Sequence, residues 1–191
     1  MGRREAPGWW QRLLPRKTRF LGIDVGVHEV KAAEVRVVDG QPEVLALRRV
    51  LSPPGVWTEE GDEEALVAAL REVAGPEARE VITCLGGEGA VARVVRLPSM
   101  DQREAEAAVR FEVEKFLPAP VEQFIIRHVR LRRQPVRRPP APENGQGEGV
   151  LVVAAPAAAV FRLHSLFQRA GLAVTAVDHQ VLALWRVFSR G

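Results

Sequence analysis

The chain has 191 residues, of which 47% are hydrophobic and 27% charged, and its formal net charge is +3. Such a chain buries enough surface for one domain or two small lobes. Its single cysteine, Cys84, excludes a disulfide framework and a cysteine-based metal site. No apolar stretch approaches the roughly 20 residues that cross a bilayer, so we expect a cytoplasmic protein.

Basic residues concentrate in two segments. Residues 1–19 carry six basic residues and one glutamate, and residues 132–149 carry four arginines and two glutamates. The rest of the chain is net acidic and contains no tyrosine. A nucleic-acid-binding surface combines a basic face with stacking aromatic side chains, so this distribution argues against nucleic acid as a partner.

The N-terminal arm, residues 1–19, combines its charge with apolar side chains. As a helix it would place tryptophans beside leucines on one side and arginines on another. An amphipathic segment of this kind binds an anionic membrane surface reversibly. An arm that packs on the body is the alternative. The residues expected to contact the membrane are Trp9, Trp10, Arg12, Leu13 and Arg16.

The first element after the arm has the pattern of a strand, a tight turn and a second strand. Asp24 and Gly26 lie at the turn, and Lys31 lies early in the returning strand. A glycine lets backbone amides approach a phosphate, an aspartate holds a divalent metal or its water shell, and a lysine reaches the same phosphates. We expect Asp24, Gly26 and Lys31 to form a phosphate-binding hairpin; an ordinary hairpin with a turn aspartate is the alternative.

The next elements alternate between strands and helices. The pattern predicts a strand over 43–51, a helix that follows the N-cap Asp62 and stops at Gly75, and a strand over 80–85. Residues 86–89 contain three glycines but do not open a helix. They therefore indicate a turn or hinge rather than a phosphate loop.

A separate module begins with a strand over 91–97. The helix after it has two candidate N-caps, Ser99 and Asp101, because each has a Gln or Glu at capping-box spacing. The loop at 132–149 is rich in arginine, proline and glycine, and we expect it to be flexible. The remaining predicted elements are strands over 123–131 and 150–154, a helix from Pro156 to Gly171, a strand over 172–178 and an apolar helix over 181–188.

Three blocks of this sequence carry a resemblance to a known family. They are GIDVGVHEVKAAEV, ARVVRLPSMDQREAEAAVRFEVEKFLPAPVEQF and VLVVAAPAAAVFRLHSLFQRAGLAVTAVDHQVLAL. In this order they resemble the type IV pilus assembly family PilM, actin-like relatives of the cell-division protein FtsA. The middle block is the specific one, because actin-like hairpins also occur in unrelated sugar kinases and chaperones.

The resemblance implies an α/β (α+β) fold, an incomplete actin-like ATPase lobe interrupted by a strand-helix-strand-strand insert of the SHS2 type. The lobe would comprise residues 20–90 and 172–191, and the insert would comprise residues 91–171. The chain would correspond to the N-terminal half of a PilM-like protein, without the second phosphate hairpin and the adenosine pocket.

The resemblance also implies a function. PilM-like proteins lie at the cytoplasmic face of the inner membrane, bind the cytoplasmic tail of PilN in a groove, and connect pilus motor and platform proteins to the membrane complex. We therefore expect a non-catalytic scaffold subunit, peripheral at that membrane. Actin-like proteins clamp ATP between two lobes, so ATP and magnesium would bind only with a second lobe, and no cofactor is expected for this chain.

Two alternatives from other classes stay open. One is half of a split actin-like ATPase or sugar-kinase-type phosphotransferase, and the other is an FtsA-like division protein. The residues add no independent catalytic set, because the four histidines are scattered and no pair of acids has a defined spacing.

The turn of the hairpin departs from the family pattern. PilM-like proteins carry serines there, whereas this chain has Val27, His28 and Glu29. A carboxylate facing a phosphate would repel it by about 4 kcal/mol per charge pair at about 4 Å and an effective dielectric constant of about 20. Successive side chains of a strand lie on opposite faces, so this repulsion is avoided if the side chain of Glu29 lies on the other face.

Overall fold

The computed structural model describes residues 19–58, 60–76, 80–87, 89–131 and 147–188. The N-terminal arm, including its membrane-contact candidates from Trp9 to Arg16, lies outside the described residues, as does most of the basic loop. The described strands are β1 (Arg19–Val25), β2 (Glu29–Val38), β3 (Gln41–Leu51), β4 (Glu80–Leu85), β5 (Val91–Leu97), β6 (Phe124–Arg130), β7 (Glu148–Pro156) and β8 (Ala173–His179). The described helices are α1 (Glu63–Ala74), α2 (Gln102–Glu114), α3 (Ala157–Arg169) and α4 (Gln180–Phe188).

The α/β fold and the predicted order of elements are confirmed. Three strands, a helix and a strand come first, and a strand, a helix and two strands follow. The strands form two sheets, one ordered β3-β2-β1-β4-β8 and the other ordered β5-β7-β6. The second sheet with α2 has the strand-helix-strand-strand order expected of the insert. The assignment of a lobe to 20–90 with 172–191, and of an insert to 91–171, stays a prediction.

The described residues fall into two compact units. One comprises the described residues up to Thr83 together with Arg169–Ala176, and the other comprises Cys84–Gln168 together with the described residues from Val177 onward.

The first sheet begins as an antiparallel meander of β1, β2 and β3, with β4 parallel to β1. The β2–β3 turn consists of Asp39 and Gly40, whose φ angles are 49° and 78°. Asp and Gly tolerate this left-handed conformation, which matches the twist of the two strands. A β-bulge interrupts the pairing of β2 with β3 between Glu34 and Val35, so the register shifts there by one residue.

One face of this meander packs against α1. Alternate residues of β1, namely Leu21, Ile23 and Val25, are buried on this face. The helix contributes a matching stripe of buried residues at helical spacing, and it packs against β2 and β3. The helix begins where the predicted N-cap Asp62 accepts a hydrogen bond from the amide of Ala65 at 2.9 Å.

Arg169, at the end of α3, is tied to the first turn of α1. Its guanidinium lies 2.5 Å from a carboxylate oxygen of Glu63 and 2.5 Å from one of Glu64. The hydrogen bonds to these two carboxylates raise the pKa of Arg169 above its ordinary value. Arg71 of α1 donates a further hydrogen bond to the carbonyl of Arg169 at 2.6 Å. These contacts join segments that lie about a hundred residues apart in the sequence.

The second sheet packs one face against α2. Its buried cluster contains Leu97 of β5, three residues of β7, and Val109 and Val113 of α2. Of the two candidate N-caps, the structure selects Asp101, whose carboxylate accepts a hydrogen bond from the amide of Glu104 at 2.8 Å. The Glu104 carboxylate in turn accepts from the amide of Asp101 at 3.2 Å, which completes the capping box.

The apolar helix α4 presents much of its surface to solvent. None of its described side chains is buried. Leu184 is 54% exposed, Trp185 is 64% exposed and Phe188 is 80% exposed. An apolar helix face of this kind is normally covered, and the described residues do not cover it.

Candidate functional site

The turn between β1 and β2 is closed by a hydrogen bond across its base. The amide of Gly26 donates to the carbonyl of Glu29, with 3.0 Å between nitrogen and oxygen. A Cβ at Gly26 would lie 2.9 Å from that carbonyl oxygen, which is closer than Cβ atoms normally approach, so the turn requires glycine. Because this amide already has an acceptor within the chain, it is not free to donate to a phosphate.

Three hydrogen bonds from the segment after β3 brace the same turn. Ser52 donates through its hydroxyl to the carbonyl of Gly26 at 2.6 Å and through its amide to the carbonyl of His28 at 2.9 Å. The indole of Trp57 donates to the carbonyl of Val25 at 3.2 Å. Sequence reasoning missed both side chains, because each bonds to a residue at least 26 positions away along the chain.

The structure brings Asp24 and Lys31 together as direct cross-strand partners on β1 and β2. Because side chains alternate along a strand, both lie on the face of the meander opposite α1. We call this the hairpin face, and its charged residues are Asp24, Glu29, Lys31 and Arg49. Asp24 is half-buried and Lys31 is exposed. Gly26 lies beside them in the turn; the binding of a phosphate by these three residues stays a prediction.

Glu29 shares the hairpin face with Lys31, because the two residues are two positions apart on β2. The Glu29 carboxylate is 3.7 Å from the Nζ atom of Lys31 and 3.0 Å from the guanidinium of Arg49. Arg49 on β3 is the cross-strand partner of Lys31. Alternation along the strand therefore does not point Glu29 away from the expected phosphate site.

The four charged residues leave the hairpin face formally neutral. A phosphate that approached Lys31 would meet the carboxylate of Glu29 and would have to displace it from both cations. Both cations are exposed and Glu29 is half-buried, and surface ion pairs of this kind are worth about 1 kcal/mol or less, so Glu29 competes with a phosphate but does not block it permanently. Within the ranges described by the structure, no three metal-ligating side chains come together.

No helix among the described residues is long and apolar enough to span a bilayer. Ser99, the other candidate N-cap of α2, is exposed and is not the residue that caps the helix.

No protein-family model and no curated protein matches the sequence. Solved structures do match it. A chain of the PilM-PilN type IV pilus biogenesis complex has a TM-score of 0.73 and 28% identity, over 92% of this chain and 52% of that one. The cytoplasmic domain of EpsL, an inner membrane component of the type II secretion system of Vibrio cholerae, has a TM-score of 0.59 and 18% identity, over 86% of this chain and 58% of that one.

The chain thus spans little more than half the length of these two structures. The EpsL likeness, at 18% identity, concerns the fold alone. The likeness to the pilus complex extends over nearly all of this chain. The predicted resemblance is confirmed: this chain has an actin-like fold similar to that of PilM from type IV pilus biogenesis.

Proposed function

We propose that this chain is a scaffold subunit of a type IV pilus assembly machine, or of a related competence or secretion machine. In this role it docks the short cytoplasmic tail of a PilN-like membrane protein and links it to motor and platform proteins. The observation that carries the proposal is the similarity over 92% of this chain to a chain of a PilM-PilN complex. The fold likeness to EpsL, from a second membrane-associated machine, is consistent with this role.

The hairpin supports a role that needs no nucleotide. The amide of Gly26 is bonded to Glu29, and the Glu29 carboxylate holds Lys31 and Arg49. We propose that Asp24, Gly26 and Lys31 contact ATP and magnesium only where a second lobe completes the site. Positioning of the metal, the water and the leaving group requires groups on both sides of the nucleotide.

We place the protein at the cytoplasmic face of the inner membrane, where the tail of a PilN-like protein is found. Peripheral attachment through a partner needs no spanning helix. The basic N-terminal arm would add weak affinity for anionic lipid, since each basic residue near such a surface contributes about 1 kcal/mol.

The direct test is binding of a PilN-like tail peptide to the purified chain. The peptide carries a fluorophore, and anisotropy is followed as the folded chain is added. We expect saturable binding by the tail peptide and none by a peptide of the same composition in scrambled order. Circular dichroism confirms that the chain is folded. Absence of binding by a folded sample, or equal binding of the scrambled peptide, contradicts the scaffold role.

A further inference from the structure

The central strand of the second sheet, β7, is apolar on both of its faces. Residues 150–155 read Val-Leu-Val-Val-Ala-Ala without a polar interruption. The side chains of Val150, Val152 and Ala154 point toward α2 and are only 1–2% exposed. A continuous apolar run of this kind is typical of strands that are covered on both faces, whereas a strand with one solvated face alternates apolar and polar residues.

The strand registers define the opposite face, which we call the outer face. Leu151 of β7 is the cross-strand partner of both Val94 on β5 and Val129 on β6, so these three side chains form one apolar row. The neighbouring rows have the same two-residue spacing along each strand. The outward positions are Ala92, Val94, Arg96, Ile125, Arg127, Val129, Leu131, Gly149, Leu151, Val153 and Ala155.

Several of these side chains are open to solvent. Val94 is 55% exposed, Val129 is 40% exposed and Leu131 is 41% exposed. Leu151 and Val153 on the central strand are half-buried, in contrast to the fully buried positions that alternate with them. Neighbouring apolar side chains exposed on one face of a sheet are typical of an interaction site.

The charge of the outer face indicates what its partner must carry. Its outward positions include Arg96 and Arg127 and no acidic residue. The guanidinium of Arg127 donates to the carbonyl of the preceding residue at 3.0 Å, whereas Arg130, on the α2 side of the same strand, lies 3.6 Å from the carboxylate of Glu148. A partner with carboxylates would therefore complement the outer face, whereas a second copy of this face would bring arginines toward arginines.

We propose that the outer face binds an amphipathic, acidic helix of a partner protein. The helix lies across the row formed by Val94, Leu151 and Val129, and its carboxylates reach Arg96 and Arg127. It completes a three-layer arrangement in which the sheet has α2 on one face and the partner helix on the other. The four outward rows span about 20 Å, which a helix of about 13 residues covers. This helix is a different ligand from the PilN-like tail of the proposed function.

The test uses the full chain and two synthetic helical peptides. Both carry leucines along one side; one has glutamates and the other lysines on the remaining positions. We expect anisotropy of the labelled glutamate peptide to report saturable binding. The lysine peptide should bind at least about tenfold more weakly, because its charges repel the arginines of the outer face.

Two variants assign the binding to the outer face. R127E is expected to weaken binding of the glutamate peptide by about tenfold and to strengthen binding of the lysine peptide, because the substitution reverses the charge at this position of the outer face. V129D places a carboxylate in the apolar row and is expected to abolish binding of both peptides. R103E, on the exposed surface of α2, serves as the matched control and leaves binding unchanged. Far-ultraviolet circular dichroism checks the fold of each variant.

The proposal fails if the glutamate peptide does not bind, or if R127E binds both peptides as the unmodified chain does. It also fails if sedimentation shows that the chain dimerises through the outer face, with V129D as the variant that restores the monomer. Binding of a PilN-like tail peptide is measured with R127E as well. If R127E still binds the tail, a loss of helix binding concerns the outer face and not the scaffold role.

Discussion

At the scale of single residues, Glu29 determines the electrostatic character of the hairpin face. Its carboxylate contacts Lys31 at 3.7 Å and Arg49 at 3.0 Å. These two cations would otherwise be available to an oxyanion that approaches the turn. The family pattern noted for the sequence has serines near this position, and without Glu29 the hairpin face would carry two cations and only one carboxylate, that of Asp24. Together with Asp24, this acidic side chain balances the two cations and leaves the hairpin face formally neutral.

Replacement of Glu29 by glutamine is therefore expected to create an anion site. E29Q removes one negative charge while it keeps the size of the side chain, so Lys31 and Arg49 are left to attract an added anion. We expect E29Q to bind inorganic pyrophosphate at least about fivefold more tightly than the unmodified chain, in line with about 1 kcal/mol for a charge at an exposed site. Isothermal titration calorimetry at low salt measures both binding constants.

The matched control is E43Q. Glu43 also pairs with an arginine on the meander, Arg36 at 2.7 Å, but it is exposed and lies near the β2–β3 turn, away from the hairpin face. E43Q should bind pyrophosphate no better than the unmodified chain. Equal affinities of E29Q and the unmodified chain would show that the Glu29 carboxylate does not compete with anions.

At the scale of the elements, α2 illustrates a choice that sequence left open. Ser99 and Asp101 both have a residue at capping-box spacing, and the structure selects Asp101 with Glu104. Selection of Asp101 starts the helix at Gln102 and places Ala105, Val109 and Val113 on its buried side. Local chemistry offered two starting points, and the reciprocal hydrogen bonds between Asp101 and Glu104 identify the one that is used.

Removal of this cap is expected to destabilise the second unit. D101A loses the acceptor for the amide of Glu104 at the first turn of α2, and this loss costs about 1 kcal/mol in free energy of unfolding. S99A should change the unfolding free energy by less than about 0.5 kcal/mol, as is usual for exposed positions. Urea denaturation followed by circular dichroism compares the two variants. An equal loss of unfolding free energy in both would show that Asp101 alone is not the cap of α2.

Element boundaries were largely predictable because the signals are local. Asp62 and Gly75 mark the ends of α1 in both the sequence and the structure, since a cap depends only on a few adjacent residues. The two strands that flank the basic loop were also predicted, and the structure pairs them as β6 and β7. The bracing of the β1–β2 turn by Ser52 and Trp57 was not predicted, because it depends on contacts between distant segments.

At the scale of the whole molecule, the length of the chain bears on catalysis. It spans about half of the chain that it matches in the pilus complex. In actin-like proteins, phosphoryl transfer from ATP requires groups on both sides of the nucleotide to position the metal, the water and the leaving group. Asp24 and Lys31 lie on one strand pair, so under the proposed function they would provide one side only.

The purified chain is therefore expected to have no magnesium-dependent ATPase activity. A coupled phosphate-release assay should give the same rate for the unmodified chain and for D24N, since neither assembles a complete site. The same comparison in the presence of EDTA identifies any contaminating activity. Turnover that requires magnesium and is lost in D24N would contradict the proposed non-catalytic role and favour the ATPase alternative.

Which arginine of β3 lies on the hairpin face could not be predicted from the sequence. From the Asp39–Gly40 turn alone, regular pairing would place Arg48 opposite Lys31. The β-bulge between Glu34 and Val35 shifts the register by one residue, so Arg49 becomes the partner of Lys31. Arg48 lies on the α1 face instead, where it donates to the carbonyl of Ala74 at 3.5 Å.

The sequence by itself determined the order of strands and helices, most of their ends, and the likeness to PilM, because periodicity, caps and turn residues act over a few neighbouring positions. Only the tertiary structure decided which charges meet at the hairpin face and that the second sheet keeps an exposed apolar side. A one-residue shift exchanges the two faces of a strand, and the packing that sets the shift joins segments far apart in the chain.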